Sequence, residues 1–457
     1  MVNIMSITPV VLTIAGSDSG GGAGIEADIK TFAALGVHGT CAITSVTAQN
    51  TKGVLSIYDL PPFVISDQIN AVCSDMDVKW AKTGMLSSAE IIEVVSKDAR
   101  SRGLSLVVDP VMAAEAGGDL LRKDAVRVLK EKLLSFSKVV TPNIYEARTL
   151  SGIDIKDVND AKKAAKLIAE SGVEAVIVTG GHLDASDVVY ESASDTFTVL
   201  PGKFLEGGTH GSGCTYAASI TAFLSKGYSI VEAAMLAKSF VEMAIVSSAK
   251  VGRGMGPVNQ LGSTLRNAQR YETLQNTISA ANILVSCNEF GKLIAEVGCN
   301  IAMAISEAST LTDVVGVSGR IVRVKCMPYI AGNVEFGGSS HVARMVLAAM
   351  KFDPSIRAAI NLCYSEKVLC ICREMGLTIS SFDRCDEPEQ VNTMDWGVTF
   401  AIGNFNSTAF KKVPDIIYDK GSVGKEPMIR LFGKNAEEVA HKAVIIARLY
   451  SSSGDIQ

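Results

Sequence analysis

Short, largely apolar runs alternate with stretches of helical spacing through the first half of the chain, and few folds accept that order. The runs are Val10–Ala15, Cys41–Thr47, Val78–Lys82, Leu104–Asp109, Val139–Thr141 and Ala175–Thr179. Helical patterns lie between them, as in Ile25–Leu35, Ala89–Arg100, Ala125–Leu134 and Ala161–Glu170. Runs without an exposed polar face suit strands buried on both sides. Parallel strands need a crossover, which a helix supplies. The pattern predicts an α/β fold with a mostly parallel sheet flanked by helices. Hydrophobic residues at 47% against 20% charged supply the core such a fold needs and argue against global disorder.

A length of 457 residues exceeds one ordinary domain. The alternation lapses near Val258–Ser263, with Gly256-Pro257 before it and Gly262-Ser263 within it. A new helix face then begins, with Leu265, Ala268, Tyr271, Leu274, Ile278 and Ala281 three or four apart. We place the boundary at 262, giving domains 1–262 and 263–457. The second domain reads as a smaller α/β unit. Its strand candidates are Val314–Val317, Ile321–Lys325, Ala358–Leu362, Ile416–Tyr418 and Met428–Phe432, and its helices are His341–Met350 and Ala436–Leu449.

Composition excludes several classes. Lys plus Arg is 43 against 48 for Asp plus Glu, a net charge of −5, so a basic nucleic-acid-binding surface is not expected. The most apolar stretch, Ala233–Ala249, is broken by Lys238 and Glu242 and falls short of a membrane span. The N-terminus lacks the basic segment of a signal peptide, so a cytoplasmic protein is expected. Ten Cys form no CxxC pair, and Cys370-Ile371-Cys372 has no His nearby, which argues against structural zinc.

Two glycine-rich loops are the candidates for the chemistry of the first domain. Gly16-Ser17-Asp18-Ser19-Gly20-Gly21-Gly22-Ala23-Gly24 joins a strand to a helix. The dinucleotide fingerprint fails, because Ile25 stands where GxGxxG from Gly20 needs its last glycine. Close backbone approach to a small ligand and a tight turn are equally open. Asp28 follows early in the helix, where the dipole alone favours a carboxylate. The second loop, Gly207 to Thr215, opens an apolar helix and aims free N–H groups at one point, as an anion hole for a transferring phosphoryl group does. Cys214 at that helix start is expected to have its thiolate favoured by the dipole and to accept a hydroxyl proton. A buried Cys in an ordinary N-terminus is the alternative. Asn143 and Glu146 share a helix face, as hard oxygen ligands for magnesium or as an ordinary N-cap with an acidic first turn.

The strings AGSDSGGGAGIEADIKTFAALG (15–36), TSVTAQNT (44–51), KTGML (82–86), VDPVM (108–112), TPNIYEA (141–147), GGH (180–182), GTHGSGCT (208–215) and GRGMGPV (252–258) run in order over the first domain. Together they resemble the hydroxymethylpyrimidine and phosphomethylpyrimidine kinases of the ribokinase-like superfamily. The resemblance implies two successive phosphorylations by ATP with Mg2+, first of the hydroxymethyl group and then of the monophosphate. It places Gln49 on the pyrimidine edge, with Asp28, Met85 and Val111 completing that pocket. Asn143 and Glu146 serve magnesium and phosphates, Gly211, Ser212 and Gly213 form the anion hole, and Cys214 replaces the usual Asp base. Thr179 stands where the family has a phosphate-contacting Lys, a charge that Lys238 or Lys82 could supply. A homo-oligomer is also implied.

In the second domain, cations cluster in turns: Arg320 after Ser318-Gly319, Arg344 after Gly337-Gly338-Ser339-Ser340-His341, and Lys420 and Lys425 around Gly421 and Gly424. Gly424-Lys425 is not a phosphate loop of the Walker type, since Glu426 replaces Ser or Thr. Such donors suit a diphosphate, although any one of them taken singly is better read as a solvated side chain or a surface ion pair. GVSGRIVRV, FGGSSHVARM, DPSIRAAINL, SFDR and PDIIYDKGSVGKEPMIRLFG resemble the ThiN type of thiamine-phosphate synthase. The implied reaction joins the pyrimidine diphosphate to a thiazole phosphate and releases diphosphate. By that resemblance Arg320 and His341 are catalytic, as phosphate binders and charge stabilisers. Ser339, Ser340, Arg344, Lys420 and Lys425 are further phosphate contacts. Two other readings stay open: a second domain that senses thiamine phosphates without turnover, and a pyridoxal kinase with an unrelated tail.

Overall fold

The computed structural model describes residues 8–113, 120–122, 125–181, 184–386, 393–405 and 412–452. His182 of the Gly-Gly-His string lies outside them. The chain divides into two compact units, Met1–Thr264 and Leu265–Gln457.

The strands of unit one are β1 (Val10–Asp18), β2 (His38–Asn50), β3 (Gly53–Asp59), β4 (Val78–Thr83), β5 (Ser105–Val108), β6 (Val139–Val140), β7 (Ala175–Val178), β8 (Asp187–Glu191) and β9 (Thr196–Leu200). Its helices are α1 (Gly24–Ala34), α2 (Pro62–Asp75), α3 (Ala89–Ser101), α4 (Ala125–Val128), α5 (Ile144–Ser151), α6 (Val158–Ala169), α7 (Ser212–Ser225) and α8 (Ile230–Val246). The sheet order is β3-β2-β1-β4-β5-β6-β7-β8-β9. Strands from β2 to β7 pair in parallel, while β3, β8 and β9 add antiparallel edges. Side chains alternate between two cores. Leu12, Ile14, Leu106, Val108, Val176 and Val178 pack with α2, α3 and α6, whereas Val11, Val107, Ala175 and Ile177 pack on the face that carries α7. This period of two is why the strands read as continuous apolar runs. On α3, Ser88 accepts the Ile91 N–H as N-cap, and Ile92 and Val95 are fully buried, worth roughly 1.5–3 kcal/mol each. The expected helix 125–134 is less regular: α4 passes into a π-type turn at Leu129–Leu133.

Unit two has strands β10 (Ile301–Ala304), β11 (Val314–Val317), β12 (Ile321–Val324), β13 (Met327–Ile330), β14 (Val334–Phe336), β15 (Ala358–Cys363), β16 (Ile379–Ser381), β17 (Ile416–Asp419) and β18 (Met428–Gly433). Its helices are α9 (Gly262–Val285), which begins at the boundary, α10 (His341–Met350), α11 (Glu366–Glu374), α12 (Thr393–Phe405) and α13 (Ala436–Ser452). Seven strands form a sheet in the order β14-β11-β10-β15-β18-β17-β16, antiparallel except for β16 with β17. Helices cover both faces: α11 and α13 lie over Ile360 and Leu431, and α10 and α12 over Ala359 and Phe432. No helix among the described residues is long and apolar enough to cross a membrane.

Candidate active sites

A cavity of about 440 Å³ opens in unit one where β1, β2, β4, β5 and β7 end. Ligands of open α/β sheets bind at such carboxyl ends. Asp18 closes β1 and organises the first glycine-rich loop. It accepts N–H bonds from Gly20 (2.7 Å), Gly22 (3.0 Å) and Ala23 (2.9 Å), and one from His210 Nε2 (3.1 Å). Burial would raise its pKa, but His210 and these N–H groups outweigh burial and bring it to about 2. The second loop packs directly on the first. Gly211, the N-cap of α7, has φ +80°, and a Cβ there would meet the Gly22 carbonyl oxygen at 1.9 Å. Glycine alone allows that turn and that approach.

Beneath these loops lies a buried charge cluster. Lys82 on β4 is fully buried, with Nζ 3.0 Å from Asp28 Oδ2 and 3.9 Å from Asp109 Oδ2. Thr13 Oγ1 donates to the same Asp28 oxygen at 2.5 Å. Burial opposes the ammonium charge, yet Asp28, Cys214 and Asp109 together raise its pKa. Burial lifts the Asp109 carboxyl to about 6, and burial with the nearby Asp109 lifts Glu146 to about 8. Asp109 Oδ2 is buried without a hydrogen-bond partner among the described residues. Perturbed carboxylates in a cavity are what functional sites produce.

Cys214 departs from expectation. Burial first, and Asp109 and Asp28 beside it, push the thiol up to about 12, with only Lys82 and the Gly24 N–H pulling down. Two neighbouring carboxylates and lost hydration outweigh the helix dipole, so the thiol keeps its proton and donates to Asp109.

Gln49, Met85, Val111, Asn143, Glu146, Thr179, Gly211, Ser212, Gly213 and Cys214 all line the cavity. Asp28 does not: it is fully buried behind the wall, where it holds Lys82. Lys238 does not line it either, because its Nζ is bound to Asp187 Oδ2 (3.0 Å) and the Ala185 carbonyl (2.6 Å). Lys82 lines the same cavity as Thr179, but from β4, three strands away from the end of β7. Asn143 and Glu146 form a reciprocal capping box on α5, and the second Glu146 oxygen accepts the Met112 N–H at 3.4 Å. Their side chains thus do the ordinary N-cap work. Among the described residues no three His, Cys, Asp or Glu cluster as a ready metal site. The orphaned Asp109 oxygen and the raised Glu146 carboxyl are nonetheless hard donors suited to a small divalent cation. Asp18, Asp109 and His210 carried no assigned role in the sequence. Their signals were an Asp inside a glycine loop, an Asp at a strand end and a His inside the anion-hole string. The Gln49 amide nitrogen sits 3.2 Å from His210 Nε2, which brings the two side chains together at the cavity wall.

Unit two holds its own cavity of about 480 Å³. Asn300 and Asn361 knit its floor. Asn361 Oδ1 accepts from Asn300 N at 2.7 Å, and Asn361 Nδ2 donates to the Gly298 carbonyl at 3.1 Å. Asn300 in turn exchanges bonds of 2.7 and 2.9 Å with the Val317 backbone. Arg320 lines the cavity at φ +66°, a left-handed conformation that costs a non-glycine residue about 1–3 kcal/mol and is tolerated mainly at functional sites. Its guanidinium donates to the Val297 carbonyl. Ser339, Ser340, His341 and Lys425 also line the cavity, the first three at the start of α10.

Three expectations change here. His341 is not a charged stabiliser near neutral pH. Lost hydration first, then the charges of Arg430, Arg384 and Arg320, hold its pKa down to about 4, so it offers a neutral imidazole. Arg344 points away and donates to Asp395 Oδ2 at 3.3 Å. Lys420 has a side chain 72% exposed and lies 3.9 Å from Glu366. Neither lines the cavity. Arg384, Asn300 and Asn361 were not singled out in the sequence, since they lie far apart along it and meet only in the fold.

A sequence profile of the phosphomethylpyrimidine kinase family matches residues 18–259, and one of thiamine-phosphate synthase ThiN matches 278–445. The bifunctional thiamine biosynthesis protein ThiDN of Methanocaldococcus jannaschii is 35% identical over 444 residues, covering 97% of this chain and 99% of its own. The hydroxymethylpyrimidine/phosphomethylpyrimidine kinase of Rhizobium meliloti is 45% identical over 260 residues, 55% of this chain and 97% of its own. Among solved structures, an ADP complex of Bacillus subtilis pyridoxal kinase is 36% identical, with TM-score 0.53 over 56% of this chain and 99% of that one.

Proposed function

Because this chain belongs to the bifunctional family that joins a phosphomethylpyrimidine kinase to a ThiN-type thiamine-phosphate synthase, we infer that its two cavities carry those activities in chain order. The protein is a thiamine-biosynthesis enzyme that phosphorylates hydroxymethylpyrimidine and its monophosphate and makes thiamine phosphate. The observation that carries the assignment is the pair of cavities: the second lies within the residues of the ThiN match, and the first within those of the kinase match apart from Ala15, Gly16 and Ser17 just before it.

In unit one the pyrimidine rests against Met85 and Val111, with Gln49 reading its polar edge. The free N–H groups of Gly213 and Cys214 at the start of α7 face the transferring phosphoryl group of ATP and stabilise its charge. The hydroxyl proton passes to the Cys214 sulfur as the thiol hands its own proton to Asp109, to which it is hydrogen-bonded. Asp109 and Glu146 are the residues that would hold Mg2+, which when bound shields negative charge on the phosphates. Lys82 is the fixed cation that faces the same space.

In unit two the breaking C–O bond releases diphosphate as the thiazole nitrogen bonds to the exocyclic pyrimidine carbon. The departing group gains negative charge, which Arg320 and Lys425 offset, while neutral His341 donates a hydrogen bond. The test is to incubate the purified chain with hydroxymethyl aminopyrimidine, thiazole phosphate, ATP and Mg2+ and to follow thiamine phosphate by mass. Accumulation of the pyrimidine diphosphate alone would make the second unit a sensor. No phosphorylated pyrimidine at all would overturn the kinase assignment for this chain.

A further inference from the structure

The second cavity is backed by a buried cluster with more positive than negative charge. Asp419 closes β17 with no exposure and accepts four hydrogen bonds. Oδ1 takes Arg384 Nε at 2.6 Å and Gly421 N at 2.8 Å, and Oδ2 takes Arg430 Nη2 at 2.6 Å and Arg384 Nη2 at 3.2 Å. A carboxylate has about four acceptor positions, so Asp419 is saturated. Among the described residues, two guanidiniums against one carboxylate leave one positive charge without a counterion.

Arg430 cannot present that charge to a ligand. It is fully buried, its Nη1 donates to the Met428 carbonyl at 3.4 Å, and its guanidinium lies 5.0 Å from the centre of the Phe382 ring. Arg384 can. Its side chain is 8% exposed and lines the cavity, with Nε and Nη2 locked on Asp419. Its Nη1 makes no hydrogen bond among the described residues. Glu426 is the acidic side chain among the described lining residues, and its oxygens are engaged by Glu296 N (2.9 Å) and Val297 N (3.3 Å). A purely structural ion cluster would close on neutrality, because an uncompensated buried charge is costly. The surplus instead faces the cavity, close enough to His341 at the start of α10 for the Arg384 charge to act on that imidazole.

We propose that Arg384 is a catalytic residue of the second site that binds the diphosphate of the pyrimidine substrate, and that Asp419 and Arg430 are positioning residues that lock its guanidinium toward the cavity. This rests on the synthase reading above. Diphosphate, rather than the single phosphate of the thiazole, is the fitting occupant because Arg384, Arg320, Lys425 and His341 all line this one cavity. A group that leaves with growing negative charge needs the most donors.

The test uses the full chain with preformed pyrimidine diphosphate, thiazole phosphate and, as inhibitor, inorganic diphosphate. In Arg384→Gln, kcat/KM for the pyrimidine diphosphate should fall about 100-fold, and inhibition by inorganic diphosphate should weaken about tenfold. The KM for thiazole phosphate should stay within about threefold. Arg384→Lys keeps the charge without the fork and should recover part of the loss. Asp419→Asn should move the same two constants in the same direction. Unchanged diphosphate inhibition in Arg384→Gln, or an equal rise in KM for both substrates, overturns the proposal. Should Arg384→Gln melt early, Arg384→Lys decides: wild-type diphosphate inhibition there overturns it. A wild-type chain that makes no thiamine phosphate overturns the synthase reading instead.

Discussion

The two cavities are offered phosphates yet are lined with opposite charge. In unit one, Asp18, Asp109 and Glu146 line the space, Glu146 keeping its proton near neutral pH, with Asp28 behind them and Lys82 as the cation set among them. In unit two, Arg320, Arg384 and Lys425 face the space, with the engaged Glu426 as the one acidic lining residue among those described. An acidic wall suits phosphate only if positive charge arrives with the ligand, as it does with a metal-bound nucleotide. A basic wall suits a diphosphate that leaves alone. The contrast locates the countercharge, carried in by the ligand in one site and built into the chain in the other.

Lys82→Met should break the contrast most severely. It leaves Asp28 buried beside Asp109 without a cation, which costs about 3–5 kcal/mol for a broken buried pair. Denaturant melts of the full chain should show that loss in the transition of unit one, together with loss of pyrimidine phosphorylation. A wild-type midpoint would mean that the carboxylates do not need Lys82.

The acid wall also sets a pH dependence. Glu146 rises from an ordinary 4.5 to about 8 in the folded chain, so the native state keeps a proton that the unfolded state has lost. Stability of unit one should therefore fall as pH rises from about 4.5 to about 8 in the absence of divalent cations. Added Mg2+ should flatten that slope, which thermal melts across the range would reveal. A slope indifferent to Mg2+ would remove Asp109 and Glu146 as its seat.

For the basic wall the sign reverses. His341 falls from 6.5 to about 4, so protonation favours the unfolded state, and stability is lost as pH drops from about 6.5 toward 4. An NMR titration should find the His341 imidazole neutral at pH 6 in the free chain. Inorganic diphosphate should raise its midpoint, because an anion beside it favours the charged ring. No movement with diphosphate would place the anion elsewhere. The smallest effect belongs to Arg344→Ala and Lys420→Ala, whose side chains miss the cavity. Synthase kcat/KM should stay within about twofold for each.

Much of this architecture was legible in the chain, because strands buried on both faces leave nearly unbroken apolar runs, and β1, β5 and β7 did so. The edges were not. β8 and β9 are joined by Ser192-Ala193-Ser194-Asp195, a turn without the usual Asn-Gly signal, and β13 is reached through Lys325 and Cys326 at positive φ. Of the first site, the residues on the glycine loops were readable from spacing, since a loop between strand and helix has one place to go. Lys238 was misplaced because sequence cannot show that Asp187 already holds it. The thiol of Cys214 was misjudged for a related reason: the helix start is visible, but Asp28 and Asp109 come from other segments and reverse its effect. Arg430 is the extreme case, an arginine with no exposure in a residue class that is almost always wet.

The central claim is that two self-sufficient sites on one chain act in sequence, and it can be tested by mixing two crippled chains. Cys214→Ala should make no pyrimidine diphosphate yet convert it when supplied, and Arg320→Ala should accumulate it. Combined with hydroxymethyl aminopyrimidine, thiazole phosphate, ATP and Mg2+, the pair should restore thiamine phosphate, because the intermediate made by one chain feeds the other. If the mixture stays inactive while each variant keeps its own half-reaction, the sites are not independent and the division of labour drawn here is wrong.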